Sequence, residues 1–551
     1  MVILLLDVRD DFVQGVSDSF VAGYFDPLDQ TGGANNQDII YLDVAPAHLS
    51  GTGARDVYST LAHEYQHLIH FGRDKQEHEW VNEGLSELSP VLMGLPHRSF
   101  SHYLANTNAG LTDFNGSLAD YARLSLFFLY SWVQLGTPFI RDLIANSGVS
   151  TAGFSAALAS HTSLSLVDLV DNWHLANFIH GSGELGYGEG WAIPDPLMQR
   201  SLYRFPATMS ATISPYAAHW TLISHGSNLT LTGSATANAK VTLFKGADRT
   251  PLDGASILAG GFTDPDYGSS YTDLLVLTSA GTLPSLYSLN INAEGIFDEV
   301  TISYDNNQTI FQQQFIGLGD RQAVVEFNIP SVSIDLTSVS LLTFSSNPVV
   351  MRLYAGPINP ATLFFTDTIP ASYQLQWAPH RLPPGLDMGG KTLFVGLTGV
   401  ALGYNEAQQR QWSYLGDVAG ENFAPLDSFS VGDGPLVGNW SVRVSYLKPG
   451  VADTSTAPEL IVGVFYANPF IHDGTFASVV RIDVDHEDAV DLRIYNLLGQ
   501  QVWKGVRPAG DSAPLAWRGI TNDGRSLPSG VYVGVIRVGA VIQKRKLVLI
   551  R

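Results

Sequence analysis

Two histidines four residues apart, with a glutamate directly after the first, stand at His63-Glu64-Tyr65-Gln66-His67. On an α-helix, positions i and i+4 share one face, so both imidazoles can aim at one metal ion. Glu64 is turned aside from that face, and can reach a water molecule at the metal without joining the ligand set. With 15 His and 52 acidic residues among 551, chance predicts roughly 0.04 matches to this pattern. A catalytic Zn2+ takes three protein ligands and keeps one position for water. The longer form H-E-x-x-H-x-x-G-x-x-H is excluded, because His70 stands where the glycine belongs and Arg73 where the third histidine belongs. The third ligand must come from elsewhere. Glu83, in Trp80-Val81-Asn82-Glu83-Gly84-Leu85-Ser86-Glu87, follows His67 by 16 positions, enough chain to turn and lay a second helix beside the first. Glu87 is its rival. A site of this kind lowers the pKa of water from about 15.7 towards 7. Glu64 would then take the proton of the attacking water and pass it to the departing amine.

The elements that must hold these groups are legible as patterns. Short strand signals at residues 2–8, 19–25 and 38–44 lead into helical segments at 56–71, 80–93, 118–135, 138–146, 151–160 and 165–179. Gly72 is expected to close the first helix as a C′ glycine. Residues 124–132 are apolar nearly all round, which suits a helix buried in a core. The opening run Met1-Val-Ile-Leu-Leu-Leu-Asp7 lacks a basic leader and reads as a buried strand, so an upstream segment is expected to have been removed by truncation or processing.

HEYQH followed by WVNEGLSE resembles the gluzincin metallopeptidases, and among them the hyicolysin-type secreted bacterial peptidases. The resemblance covers roughly residues 1–200 and rests on the two motifs, with residues 23–26 and 39–44 similar to the upstream strands of that group. It implies His63, His67 and Glu83 as zinc ligands and Glu64 as general base. Glu87 matches the position where thermolysin-like enzymes place a carboxylate that orients a zinc-binding histidine. Tyr121 opens a long apolar helix, where gluzincins of the aminopeptidase type carry a hydroxyl donor that stabilises the oxyanion. His70 and His78 are read as a helix-end and a surface residue, and His161 and His174 as lesser candidates. The strand at 19–25 is expected to be a sheet edge that pairs with an extended substrate, which makes cleavage endoproteolytic.

Composition bounds the remainder. The chain has 551 residues, a net charge of −22 and no cysteine. A disulfide framework, a thiolate metal site and a cysteine nucleophile are therefore excluded. The acidic balance argues against nucleic acid as a partner, and no run of 18 apolar residues spans a membrane. From about residue 210 alternating segments (228–232, 240–244, 288–292, 301–304, 349–354) separated by Gly, Asn, Asp and Pro predict all-β sandwiches. The expected fold class is multidomain α+β. It comprises a zincin-like peptidase domain at 1–209 with a mixed sheet plus helices, β-sandwich domains at 210–330 and 331–450, and a compact β domain at 464–551 that the resemblance below makes immunoglobulin-like. Residues 449–458 read as linker. A structural Ca2+ at Asp264-Pro265-Asp266-Tyr267-Gly268 is conceivable, but the run is too short for a defined calcium loop.

The final 88 residues carry, in order, NPF, IYNLLG, WRG, NDG, PSGVY and a Lys-rich end. This set resembles the C-terminal sorting domains of type IX (Por) secretion substrates and the small immunoglobulin-like domain of flagellar hook-capping proteins. It implies export to the medium or cell surface through secretion machinery. The reading is a secreted zinc metallopeptidase acting on protein or peptide. The alternatives are an inactive adhesion or binding protein with a zincin-like domain, and a zinc hydrolase of non-peptide substrates.

Overall fold

The computed structural model describes residues 1–8, 10, 21–31, 35–44, 54–236, 239–304, 314–343, 348–356, 360–369, 377–399, 401–405, 412–417, 423–431, 434–435, 438–450, 470–471, 480–482, 489–496, 498–508, 515–538 and 541–550. The chain is β-rich and multidomain, with its long helices gathered near the start, and falls into two units, Met1–Val451 and Ala452–Arg551.

Three strands come first: β1 (Val2–Leu6), β2 (Gly23–Phe25) and β3 (Ile39–Asp43). They form one sheet in the order β1-β3-β2, with β1 parallel and β2 antiparallel to β3. The apolar run of β1 reads as buried, yet Val2, Ile3, Leu4 and Leu5 are each at least 36% exposed. Among the described residues β1 lies at the edge of the sheet, with a strand neighbour on one side alone.

Six helices follow: α1 (Ala54–Phe71), α2 (Glu79–Leu92), α3 (Ser101–Leu104), α4 (Leu118–Ala145), α5 (Ser150–Leu158) and α6 (Leu166–Ile179). Helix α1 lies on the sheet, with Val57, Leu61 and Leu68 packed among Phe25, Ile40 and Leu42. Gly72 does not take a left-handed conformation; its N–H bonds the Leu68 carbonyl at 3.3 Å. His78 caps α2, its ring accepting the Trp80 N–H. The segments expected at 118–135 and 138–146 form one kinked helix, α4. Ser117 and Asp120 cap it reciprocally, and Gly136 (φ 75°) makes the kink just ahead of Pro138. Helix α3 lacked a readable period at four residues. Trp80, Val81, Leu85 and Leu88 of α2 are buried against α4 and α5, and each such side chain contributes about 1.5–3 kcal/mol.

Two β-sandwiches complete the first unit. One sheet runs Phe262–Asp264, Ser227–Ala235, Ser285–Glu294, Ala207–Ile213; facing it is Arg200–Leu202, Ala218–Ser224, Asp273–Ala280, Ala239–Lys245, Leu252–Asp253. Ala218–Ser224 and Asp273–Ala280 are buried at every position and do not alternate. Their second face is covered by α6, where Leu175 and Phe178 pack on Trp220, Phe244 and Leu275. In the next sandwich Phe297–Ser303 pairs with Val442–Pro449, so sheet membership changes at residues 295–296 rather than near 330. Likewise Arg200–Leu202 already belongs to the first sandwich, upstream of residue 209.

In the second unit Val541–Ile550, Gly530–Val538, Val490–Asn496 and Gln501–Arg507 are consecutive neighbours in a sheet completed by Phe470–Ile471. Val490, Leu492, Ile494, Trp517, Tyr532 and Ile536 form its core. Asn496 accepts the N–H groups of Leu498 and Gln500, Gly499 has φ 77°, and Gly524 of Asn522-Asp523-Gly524 has φ 83°. Asn468, Pro469 and most of the expected linker lie outside the described residues.

Candidate metal centre

Helix α1 turns an unusual face inward. Among its buried residues are His63, Glu64, His67 and His70, where an ordinary amphipathic helix would bury aliphatic groups. Two polar contacts staple it to α2. Ser86 Oγ donates to Gln66 Oε1 at 2.8 Å, and His70 Nδ1 lies 3.1 Å from Asn82 Oδ1. Gly84 sets the depth of α2: a Cβ there would lie 2.2 Å from the Phe128 ring of α4. Glu83 is thereby brought over the His63–His67 face.

The three groups converge. His63 Nε2 and His67 Nε2 are 3.0 Å apart, and Glu83 Oε2 lies 3.3 Å from the first and 3.4 Å from the second. Glu83 Oε2 is buried and lacks a hydrogen bond of regular geometry. A tetrahedral ion with ligand bonds of about 2.0–2.1 Å has ligand–ligand edges of about 3.3–3.4 Å. The triangle of donor atoms therefore matches one face of a four-coordinate cation's shell, and the donor set suits such an ion. Among the described residues no other group of three His, Asp or Glu side chains converges in this way.

Burial disfavours charge on His63 and Glu83, but the neighbours decide the outcome. Burial alone would lower His63; Glu83 and Glu87 outweigh it and push the imidazole well above its ordinary pKa. Burial would raise Glu83, and the two imidazoles instead hold it far down. The cluster thus favours positive charge at its centre. Glu64 differs: burial raises its carboxyl above the ordinary value, with His63 and His67 opposing, and the Phe25 backbone of β2 bonds it. It stands beside the trio and outside it.

Glu87, one turn beyond Glu83, points its Oε1 at His63 Nδ1 at 3.2 Å. It backs the imidazole and leaves Glu83 to face the Nε2 atoms, which separates the two acids that spacing alone left as rivals. Tyr121, in the first turn of α4, has its ring 6.3 Å from the His63 ring. Glu83, Arg98, Glu87 and Glu64 all act electrostatically on its hydroxyl, whose pKa burial pushes up. The structure brings Tyr121 to the site.

The lesser histidines lie apart from it. His161 pairs with Asp142 at 2.7 Å, the buried His174 meets the Tyr216 carbonyl at 3.2 Å, and His78 is an exposed cap. His70 stands in the last turn of α1, as expected, and is buried there beside Asn82. Asp264 of the acidic 264–268 run is engaged by Lys245 at 2.6 Å and by the Tyr271 hydroxyl. Sequence reasoning missed Arg98, which bonds Glu87 and lies over the Tyr121 ring. Nothing in Leu95-Pro96-His97-Arg98 marks it out, because its partners are on two other elements.

No family model matches the chain. Over 200 residues it is 28% identical to the neutral metalloprotease ShpI of Staphylococcus hyicus, an alignment covering 32% of this chain and 45% of that protein. The chain therefore spans less than half the length of this relative. Among solved structures it is similar to PorZ of Porphyromonas gingivalis, with 16% identity, 27% of this chain, 21% of that one and a TM-score of 0.14. It is also similar to a β-glucuronidase of Faecalibacterium prausnitzii, with 12% identity, 60% of this chain, 46% of that one and a TM-score of 0.20. Overlaps at this level carry no argument, and what remains is weak, partial homology to a metalloprotease alongside a converging His-His-Glu cluster.

Proposed function

We propose that the chain is a zinc-dependent metallopeptidase, with His63, His67 and Glu83 as the metal ligands and Glu64 as general base. The observation that carries this reading is the 3.0–3.4 Å triangle of two imidazole nitrogens and one carboxylate oxygen, with Glu64 beside it. Homology to a neutral metalloprotease supports peptide as the substrate. Bound zinc supplies Lewis acidity, polarising a carbonyl and lowering the pKa of water towards about 7.

The chain's own residues do the remainder. Glu64, held by the Phe25 backbone, takes the proton of the attacking water and delivers it to the leaving amine; its raised pKa suits both halves of that transfer. Tyr121 directs its hydroxyl to the negative charge that develops on the carbonyl oxygen. Glu87 fixes the tautomer of His63 by accepting its Nδ1 proton. Among the described residues strand β2 is a sheet edge, and an extended peptide can add to it as a further strand, which favours internal cleavage. The order of turn and strand motifs over residues 464–551 supports a transport address for that segment, and with it export of the enzyme.

Metal analysis with casein digestion, with and without chelator, tests this on the wild type and Glu64→Gln. Both proteins should hold one equivalent of zinc. Only the wild type should digest casein, with turnover at least about 100-fold above the variant, and chelator should abolish it. Zinc without digestion in the wild type would instead identify a binding protein.

A further inference from the structure

Arg98 lies between α2 and α3, and its Nε is 2.9 Å from Glu87 Oε1. That same oxygen is the one 3.2 Å from His63 Nδ1. The guanidinium carbon is also 4.5 Å from the centroid of the Tyr121 ring. One side chain therefore touches both the carboxylate behind His63 and the aromatic ring beside it. Glu87 is only 3% exposed, and a buried carboxylate left with a single partner is costly to keep ionised and in place. A planar guanidinium can bond a carboxylate in its plane while laying its flat face on a ring; an ammonium has no such face to stack.

We infer that Arg98 is a positioning residue for the metal centre: it holds Glu87 against His63 and seats Tyr121 over the site. The inference rests on the zinc reading above and deepens it. Two arms follow from the two contacts. The Glu87 arm acts on how well His63 is aimed, and so on metal affinity. The Tyr121 arm acts on how well the hydroxyl is aimed, and so on turnover.

Zinc affinity of the full chain, measured by competition with a chromophoric chelator, separates these arms in Arg98→Ala, Arg98→Lys, Glu87→Ala and the double variant Arg98→Ala/Glu87→Ala. Arg98→Ala should weaken zinc binding about 10- to 100-fold, the range found for partners of ligating histidines. The double variant should be no weaker than Glu87→Ala, because Arg98 reaches the metal through Glu87. Arg98→Lys, which can pair with Glu87 but has no planar face to lay on the Tyr121 ring, should recover most of the zinc affinity yet keep a lowered kcat on casein. Wild-type zinc affinity in Arg98→Ala overturns the inference, and so do losses that multiply in the double variant. Arg98→Lys with full turnover removes the Tyr121 arm. A wild-type chain that binds no zinc sinks the zinc reading and the role of Arg98 together, whereas a zinc-binding wild type matched by Arg98→Ala sinks only the latter.

Discussion

Histidine and acid meet in two different ways within Met1–Val451. In most places they meet one to one: His161 with Asp142, His180 with Asp195, His225 with Asp335 and His380 with Asp367, at 2.7–3.0 Å. Each such pair brings one imidazole donor to one carboxylate acceptor. Between α1 and α2 the same residue types converge, so that two Nε2 atoms and one Oε2 atom crowd a common point. Like-natured lone pairs aimed at one another repel unless a proton or a cation lies among them. Residue type does not separate a structural pair from a metal-binding group. Convergence sets this group apart from the pairs, and it depends on two helices being held at the right depth.

The comparison can be broken most sharply at the ligands. Glu83→Ala or His67→Ala should abolish stoichiometric zinc and casein digestion together while leaving the far-ultraviolet circular dichroism intact. Retained zinc would show that the trio is only another internal pairing. Next comes the depth of α2. Gly84→Ala puts a Cβ into the Phe128 ring, and overpacking of this kind costs about 1–3 kcal/mol. A lower urea midpoint should be accompanied by weaker zinc binding, since Glu83 is the adjacent residue.

A smaller effect should appear at a closed cluster. Asp195 is bonded by His180 and bidentately by Arg249. Burial opposes ionisation there, but these partners prevail and hold its pKa below the ordinary value. The stability it contributes is present above its unfolded pKa and is lost as pH falls through the lower folded value. Urea midpoints measured between about pH 6 and pH 3 should therefore fall less steeply in Asp195→Asn than in the wild type. The smallest effect is predicted for His161→Asn. Its partner Asp142 is 58% exposed, so stability should change by about 0.5 kcal/mol or less, with zinc content and digestion unaltered.

Much of the site was readable because its logic is local. The i, i+4 spacing of His63 and His67 predicts one helical face, and α1 provides it. Glu83 and Glu87 share a face of α2 for the same reason, but spacing could not tell which of them meets Nε2 and which Nδ1. Arg98 escaped notice because its two contacts are with α2 and α4. In the β region, alternation marks strands with one wet face, and so passes over Ala218–Ser224 and Asp273–Ala280, which are covered on both. The division expected near 330 fails to coincide with the sheets because Phe297–Ser303 pairs with the distant strand Val442–Pro449.

By itself the order of residues decides which groups share a helical face, where turns interrupt strands, and that a thiolate is absent from the chemistry. Those properties depend on neighbours within a few positions, where geometry follows from backbone period. Whether two helices approach closely enough for one oxygen to face two nitrogens is decided by packing across the chain, with Gly84 against Phe128 and Ser86 on Gln66. Tertiary structure alone could supply that, because a distance of 3.3 Å between α1 and α2 is set by every side chain filling the space between and behind them.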